Sequence, residues 1–161
     1  MYERVLVPLD GSPVAEAILP FIEQIAGPLD MEIVLLRVVP LSSADVVAMA
    51  EHAGAGEPIL KELDAQAYLE PLVATLKAKG VRAGARVRIG DPSIEIAAAA
   101  KEIGADLIAM TTHGRSGLGR LLFGSVAEAV LRSAPIPVFL MRVTETALRS
   151  AGLSGARGKR S

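Results

Sequence analysis

Residues 110–126, Met-Thr-Thr-His-Gly-Arg-Ser-Gly-Leu-Gly-Arg-Leu-Leu-Phe-Gly-Ser-Val, carry the residue types best suited to holding an anion. Glycines let a ligand approach the backbone closely. The predicted helix that begins at Gly124-Ser125 adds unpaired amides and the positive end of a helix dipole, both of which favour phosphate oxygens. Two well-known phosphate motifs do not fit. Gly119-x4-Gly124-Ser125 has the glycine spacing of a P-loop, but Ser125-Val126 stands where Lys and Ser/Thr belong, so no lysine reaches a terminal phosphate. Gly114-x-x-Gly117-x-Gly119 has the wrong order for the dinucleotide fingerprint and follows the fourth predicted strand rather than the first.

Other chemically capable residues each have a plainer reading beside the functional one. Asp10, before Gly11-Ser12-Pro13, serves either a ligand or the local amides of a turn. Ser125 with Glu128 has the spacing of a capping box, a role compatible with phosphate binding. His113 has no second metal ligand or acid close in sequence and reads as a loop-stabilising side chain. Arg115 and Arg120 either meet a terminal phosphate or stay solvated. Asp91 reads as a helix cap beside Pro92, and Pro135 and Pro137 limit pairing at the start of an edge strand.

Alternating strand and helix patterns must position these groups. Val5–Leu9 is a short strand, and a helix over Pro13–Ala26 follows, capped by Ser12, kinked at Pro20 and buried along Ala17, Phe21 and Ile25. Glu32–Val39 is a second strand, apolar except for Arg37 near its end. The connection Pro40–Glu57 reads as a mobile lid or a disordered segment. A helix over Pro58–Lys79, kinked near Pro71 and closed by Gly80, precedes an alternating edge strand, Arg82–Ile89. After the turn Gly90-Asp91-Pro92 comes a helix burying Ile96, Ala99, Ala100 and Ile103, then a strand over Asp106–Thr111. A helix over Ser125–Ser133 and a strand over Pro137–Val143 complete the order. The pattern β-α-β-α-β-α-β-α-β predicts an α/β fold: an open, doubly wound five-stranded parallel sheet with helices on both faces. Ligands of such sheets bind beyond the carboxyl ends of the strands, where the winding reverses, which points to Asp10, Val38 and Val39, Gly90-Asp91 and the 110–125 loop.

Composition narrows the function classes. The 161 residues suit one domain, expected over 1–143, and residues 144–161 read as a flexible basic tail carrying Arg149, Arg157, Lys159 and Arg160. A net charge of −1, two Tyr, three Phe and no Trp offer nucleic acid neither a basic field nor stacking platforms. No cysteine is present, so disulfides and thiol chemistry are excluded. The start, Met1-Tyr2-Glu3-Arg4, enters a strand rather than a signal peptide, and no apolar run reaches the ~18 residues of a membrane span. The expected location is the cytoplasm, with neither nucleic acid nor membrane as a partner.

Val7-Pro8-Leu9-Asp10-Gly11-Ser12, Gly90-Asp91-Pro92, Thr112–Leu118 and Leu122–Glu128 together resemble the universal stress protein family, over residues 2–143. The most specific element is the family's ATP-binding pattern G-x2-G-x9-G-[ST], which here reads Thr111-x2-Gly114-x9-Gly124-Ser125, with Thr in place of the first Gly. The resemblance implies an adenine-nucleotide alpha hydrolase-like fold with sheet order 3-2-1-4-5, and ATP as ligand, with magnesium carried by the nucleotide. It implies that Pro8, Asp10 and Val38 hold the adenosine end and that Met110 and Thr111 lie by the ribose. Gly114, Gly124, Ser125 and Val126 would then face the phosphates. It also implies a homodimer through the last strand. The expected function is an ATP-binding regulatory, stress-response protein that acts through nucleotide occupancy and what its dimer presents to a protein partner, with at most weak ATPase activity. The alternatives are a slow ATP hydrolase using Asp10, His113 and Arg115, and an interaction module of the same fold that binds no nucleotide, for which Thr111 is the main support.

Overall fold

The computed structural model describes residues 1–50, 56–113, 124–144 and 148–149. Its elements are β1 (Arg4–Leu9), α1 (Pro13–Glu16), α2 (Leu19–Ala26), β2 (Glu32–Val39), α3 (Ser43–Ala50), α4 (Gly56–Ala78), β3 (Ala83–Ile89), α5 (Pro92–Glu102), β4 (Leu107–His113), α6 (Ser125–Ser133) and β5 (Val138–Val143). The strands form one parallel sheet in the order β3-β2-β1-β4-β5.

The strands are apolar on both faces because each face is covered. Val5, Val7 and Leu9 of β1 join Ile33 and Leu35 of β2 and Ala109 of β4 beneath α2 and α4, with Ile18, Leu19, Ile22, Leu69 and Leu76 completing that layer. Leu6, Val34, Leu36, Val38, Ile108 and Met110 point the other way, against Ile96, Ala99 and Ala100 of α5 and Ala127 and Val130 of α6. Burying each such Leu, Ile or Val contributes about 1.5–3 kcal/mol before the entropy of ordering is counted.

Local chemistry explains most element ends. Gly80, at φ +81, ends α4 in a Schellman motif: the Gly80 N–H donates to Lys77 C=O (2.9 Å) and the Val81 N–H to Leu76 C=O (3.1 Å). Asp91 caps α5 as expected, accepting from the Ser93 and Ile94 amides at 3.0 and 3.2 Å. Pro71 lies inside α4 without ending it.

Four expectations need correction. The single kinked helix of residues 13–26 is two helices. Pro20 has no N–H to bond back to Glu16 and instead takes a place in the first turn of α2. The break rotates the buried face: Ile18, Leu19, Ile22 and Ala26 are buried, whereas Phe21 is exposed and stacks on Phe139 of β5 at 5.3 Å. The 40–57 connection contains α3, which begins in a capping box. There the Asp45 carboxylate accepts from the Ser42 amide (2.7 Å) and hydroxyl (2.6 Å), and the Ser42 hydroxyl accepts from the Asp45 amide (3.1 Å). Lys61 of α4 donates to the same carboxylate at 2.6 Å, so Asp45, although 3% accessible, is fully satisfied and held far below the usual carboxylate range. Finally, β4 continues to His113, two residues past its expected end, and α6 lacks the expected Ser125/Glu128 capping box. The N-cap of α6 is Gly124, and Glu128 pairs with Arg132 one turn on.

The first turns of α4 and part of α3 leave apolar groups in solvent, among them Val46, Val47, Ile59, Leu60 and Leu63. No helix among the described residues is long and apolar enough to cross a membrane.

Candidate functional site

The crevice originates in how β1 pairs. Along β2 it is zipped throughout, from Arg4↔Glu32 to Leu9↔Arg37. Along β4 it pairs only at its base, Val5↔Leu107 and Leu6↔Ile108, although β1 runs on to Leu9 and β4 to His113. The base is pinned by Asp106, whose carboxylate accepts from the Glu3 (2.7 Å) and Arg4 (2.9 Å) amides. Those two bonds hold the Asp106 carboxyl below its ordinary value. Above them the strands part. Crossovers also run in opposite directions from this pair, because β1 leads to β2 on one side while β4 leads to β5 on the other. The opening is therefore the switch point of the sheet.

The anticipated residues that the structure describes lie at the carboxyl ends of the strands and at the start of α6. Pro8 is half-buried in β1 opposite Leu36, and Asp10 follows the strand's carboxyl end. Val38, buried at the carboxyl end of β2, packs in the same cluster as Met110. Met110 and Thr111 occupy the part of β4 that extends beyond its pairing with β1. Met110 is buried towards α5 and α6, and the half-buried Thr111 lies opposite Met141 of β5. Gly114, Arg115 and Arg120 fall outside the described residues.

Gly124, Ser125 and Val126 open α6, and among the described residues no side chain caps its first amides. Gly124 has an ordinary φ of −57, and a Cβ built on it meets no described atom within 4 Å. Neither backbone conformation nor packing against the described residues calls for glycine there. Its absent side chain leaves the helix-start amides open to approach from the described residues' side, an arrangement that suits an anion.

Asp10 is organised by its own turn. Its carboxylate accepts from the Ser12 amide (2.9 Å) and hydroxyl (2.6 Å), while Ser12 in turn accepts from the Ala15 amide (3.2 Å) to cap α1. Partial desolvation pushes the Asp10 carboxyl up, but the Ser12 bonds and the nearby Arg37 charge outweigh it, leaving the group below the usual range. Asp10 is therefore a fixed, ionised acceptor and a weak base. Gly11 makes the turn possible with φ +85.

Around Asp10 lie groups the motif reading passed over. The Arg37 guanidinium donates a long bond, 3.5 Å, to Leu9 C=O, and its carbon lies 6.0 Å from the centre of the Tyr68 ring of α4. Tyr68 donates to Glu16 of α1 at 2.7 Å, and burial together with that carboxylate pushes the phenol well above its usual range. The sequence held one signal for this cluster, a lone charge inside an apolar strand.

Comparison with known proteins decides the family. The model of the Universal stress protein family matches residues 1–142. The chain belongs to the universal stress protein family. Universal stress protein MJ0531 of Methanocaldococcus jannaschii is 32% identical over 142 residues, covering 88% of this chain and 83% of the relative. Among solved structures, that of hypothetical protein MJ0577 from the same organism superposes with a TM-score of 0.73 at 28% identity, over 90% of this chain and 99% of that one. A universal stress protein family protein from Arabidopsis thaliana, solved with AMP bound, has a TM-score of 0.60 at 23% identity, over 89% of this chain and 94% of that one. It shares the fold, the five-stranded parallel sheet of the adenine-nucleotide alpha hydrolase type.

Proposed function

We propose that this universal stress protein binds an adenine nucleotide, ATP or its relatives, in the crevice between β1 and β4, and that occupancy of the site is its regulatory signal in the stress response. The observation that carries the reading is the early end of β1–β4 pairing, beside a helix start whose amides no described side chain caps. The AMP-bound neighbour of the same fold supports the class of ligand.

In this reading Val38 supplies apolar surface to the base, with Pro8 and the ionised Asp10 beside the nucleoside as rigid wall and acceptor. Met110 and Thr111 flank the ribose, and the Thr111 hydroxyl replaces the backbone freedom of the pattern's glycine with a hydrogen-bonding group. Gly114, Gly124, Ser125 and Val126 offer amides and a hydroxyl to the phosphates. Magnesium arrives with ATP and is held mainly by phosphate oxygens and water. Among the described residues no three His, Cys, Asp or Glu side chains cluster to hold a metal.

The site holds the nucleotide without hydrolysing it at an appreciable rate. The sequence has no P-loop lysine, and an Asp10 pinned in its ionised form has little proton affinity for activating water. The functional unit is residues 1–143, the basic tail lying outside it. A second copy pairs along β5, which has no strand beyond it among the described residues, and the resulting dimer surface is what a protein partner reads in the cytoplasm.

Calorimetric titration with ATP, ADP and AMP, with and without magnesium, tests the reading. Binding in the micromolar to millimolar range is expected. No heat at millimolar ligand, together with no nucleotide released from freshly purified protein on mass spectrometry, overturns it.

A further inference from the structure

Three arginines are half-buried among the described residues. Arg4 is paired with Glu32, and Arg88 with Glu95 and Glu102. Among the described residues Arg37 has no carboxylate partner within 4.0 Å, and its one hydrogen bond to them is the long contact with Leu9 C=O. A guanidinium withdrawn from water is usually paired. This one instead lies at a junction of three segments: the end of β1 through Leu9, the turn before α1 through Gly11, and α4 through the Tyr68 ring. A Cβ built on Gly11 would lie 3.9 Å from its Nη2, so the turn backs directly onto the guanidinium. Tyr68 then reaches across to Glu16, joining α4 to α1. Among the described residues, the charges acting on Asp10 and Tyr68 are those of Arg37, Asp10 and Glu16.

We infer that Arg37 is a positioning residue for the nucleotide site: it sets the Leu9–Gly11 turn so that Asp10 meets the nucleoside, and it couples occupancy of the crevice to α4 through the Tyr68 ring. The inference rests on the nucleotide-binding reading above and adds to it a specificity determinant and a route outward. A planar guanidinium can lie on an aromatic face and donate in its own plane at once. A lysine ammonium supplies the charge without the second geometry, and a methionine supplies only the stem.

The chain has two tyrosines and no tryptophan. Replacing the exposed Tyr2, Tyr2→Phe, leaves Tyr68 as the sole emitter, and a phenol bonded to a carboxylate is quenched. The experiment measures AMP affinity by calorimetry for the wild type, Arg37→Met and Arg37→Lys. It then follows Tyr68 emission in the Tyr2→Phe background, excited on the red edge where AMP is transparent. Arg37→Met is expected to weaken AMP binding about tenfold, as for loss of a desolvated cation–π contact and its hydrogen bond, with Arg37→Lys in between. Saturating AMP is expected to change Tyr68 emission in Tyr2→Phe but not in Tyr2→Phe/Arg37→Met. Wild-type affinity in a folded Arg37→Met protein overturns the inference, as does Tyr68 emission that stays unmoved while AMP saturates Tyr2→Phe. Should Arg37→Met fail to fold by circular dichroism, Arg37→Lys decides on the same two readouts. Failure of the wild type to bind AMP is a separate result: it removes the nucleotide reading itself, before any variant is compared.

Discussion

Strand β1 has two neighbours of opposite character. Its seam with β2 is paired over six consecutive residues, and its seam with β4 over two. The zipped seam lies between fully buried side chains such as Leu6 and Leu35 and serves cohesion. The open seam leaves a gap at the carboxyl edge, bordered by a turn with an ionised aspartate and by the start of α6, which no described side chain caps. On the proposed reading, the difference teaches that stability and nucleotide binding are allotted to opposite sides of one strand. Substitutions on the two sides should separate accordingly.

The largest effect is expected on the zipped side. Leu35→Ala removes a side chain with no accessible surface and should cost about 2–5 kcal/mol of unfolding free energy in urea, while AMP affinity in the folded fraction stays unchanged. On the open side, Gly124→Ser should act in two directions. The hydroxyl caps α6 and adds a few tenths of a kcal/mol to stability, while it occupies amides meant for phosphate and weakens AMP about tenfold. Calorimetry and thermal unfolding of the same protein check both; a variant that binds AMP as the wild type does would detach Gly124 from the site.

Ser12→Ala removes the cap of α1 and a partner of Asp10. About 1 kcal/mol of stability should be lost, read by urea denaturation, with weaker AMP binding because the Asp10 carboxylate loses its fixed direction. Thr111→Gly restores the glycine of the ATP-binding pattern. It is expected to raise AMP affinity by a few-fold while costing about 0.5–1 kcal/mol, the usual cost of glycine within a strand; equal affinity would show that Thr111 already suits the ribose.

The smallest effect concerns the pinned base of the open seam. The Asp106 carboxyl is depressed below its ordinary 3.8, so its contribution to stability is complete above that value and is lost as pH falls through the lower folded value. Asp106→Asn should therefore be less stable than the wild type at neutral pH and should lose less on acidification below about pH 4. Parallel acid profiles would refute the assignment.

Much of this was legible along the chain. Strand spacing, Gly80 at the end of α4, Asp91 before Pro92 and the helix start at Ser125 follow from local backbone chemistry that acts within a few residues. The glycine motif and the aspartate after β1 were readable for the same reason. The failures share a cause as well. Pro20 was read as a kink because a helix pattern continues around it, yet whether a chain bends or restarts depends on what each half packs against. The helix α3 was missed although Ser42-x-x-Asp45 spells its capping box, because its stability rests on Lys61, sixteen residues away in sequence. The Ser125/Glu128 box was predicted on spacing, but Glu128 turned to Arg132, also within reach.

By itself the sequence determined the alternation of strands and helices and the family, because periodicity, caps and motif spacing are properties of short segments; the order of the strands came only as what the family resemblance implies. Only the tertiary structure decided that β1 and β4 part after two pairs and that Arg37, Tyr68 and Glu16 converge beside Asp10. Those relations join residues up to about a hundred positions apart in the chain. They arise from the twist and packing of whole elements, which no local pattern encodes.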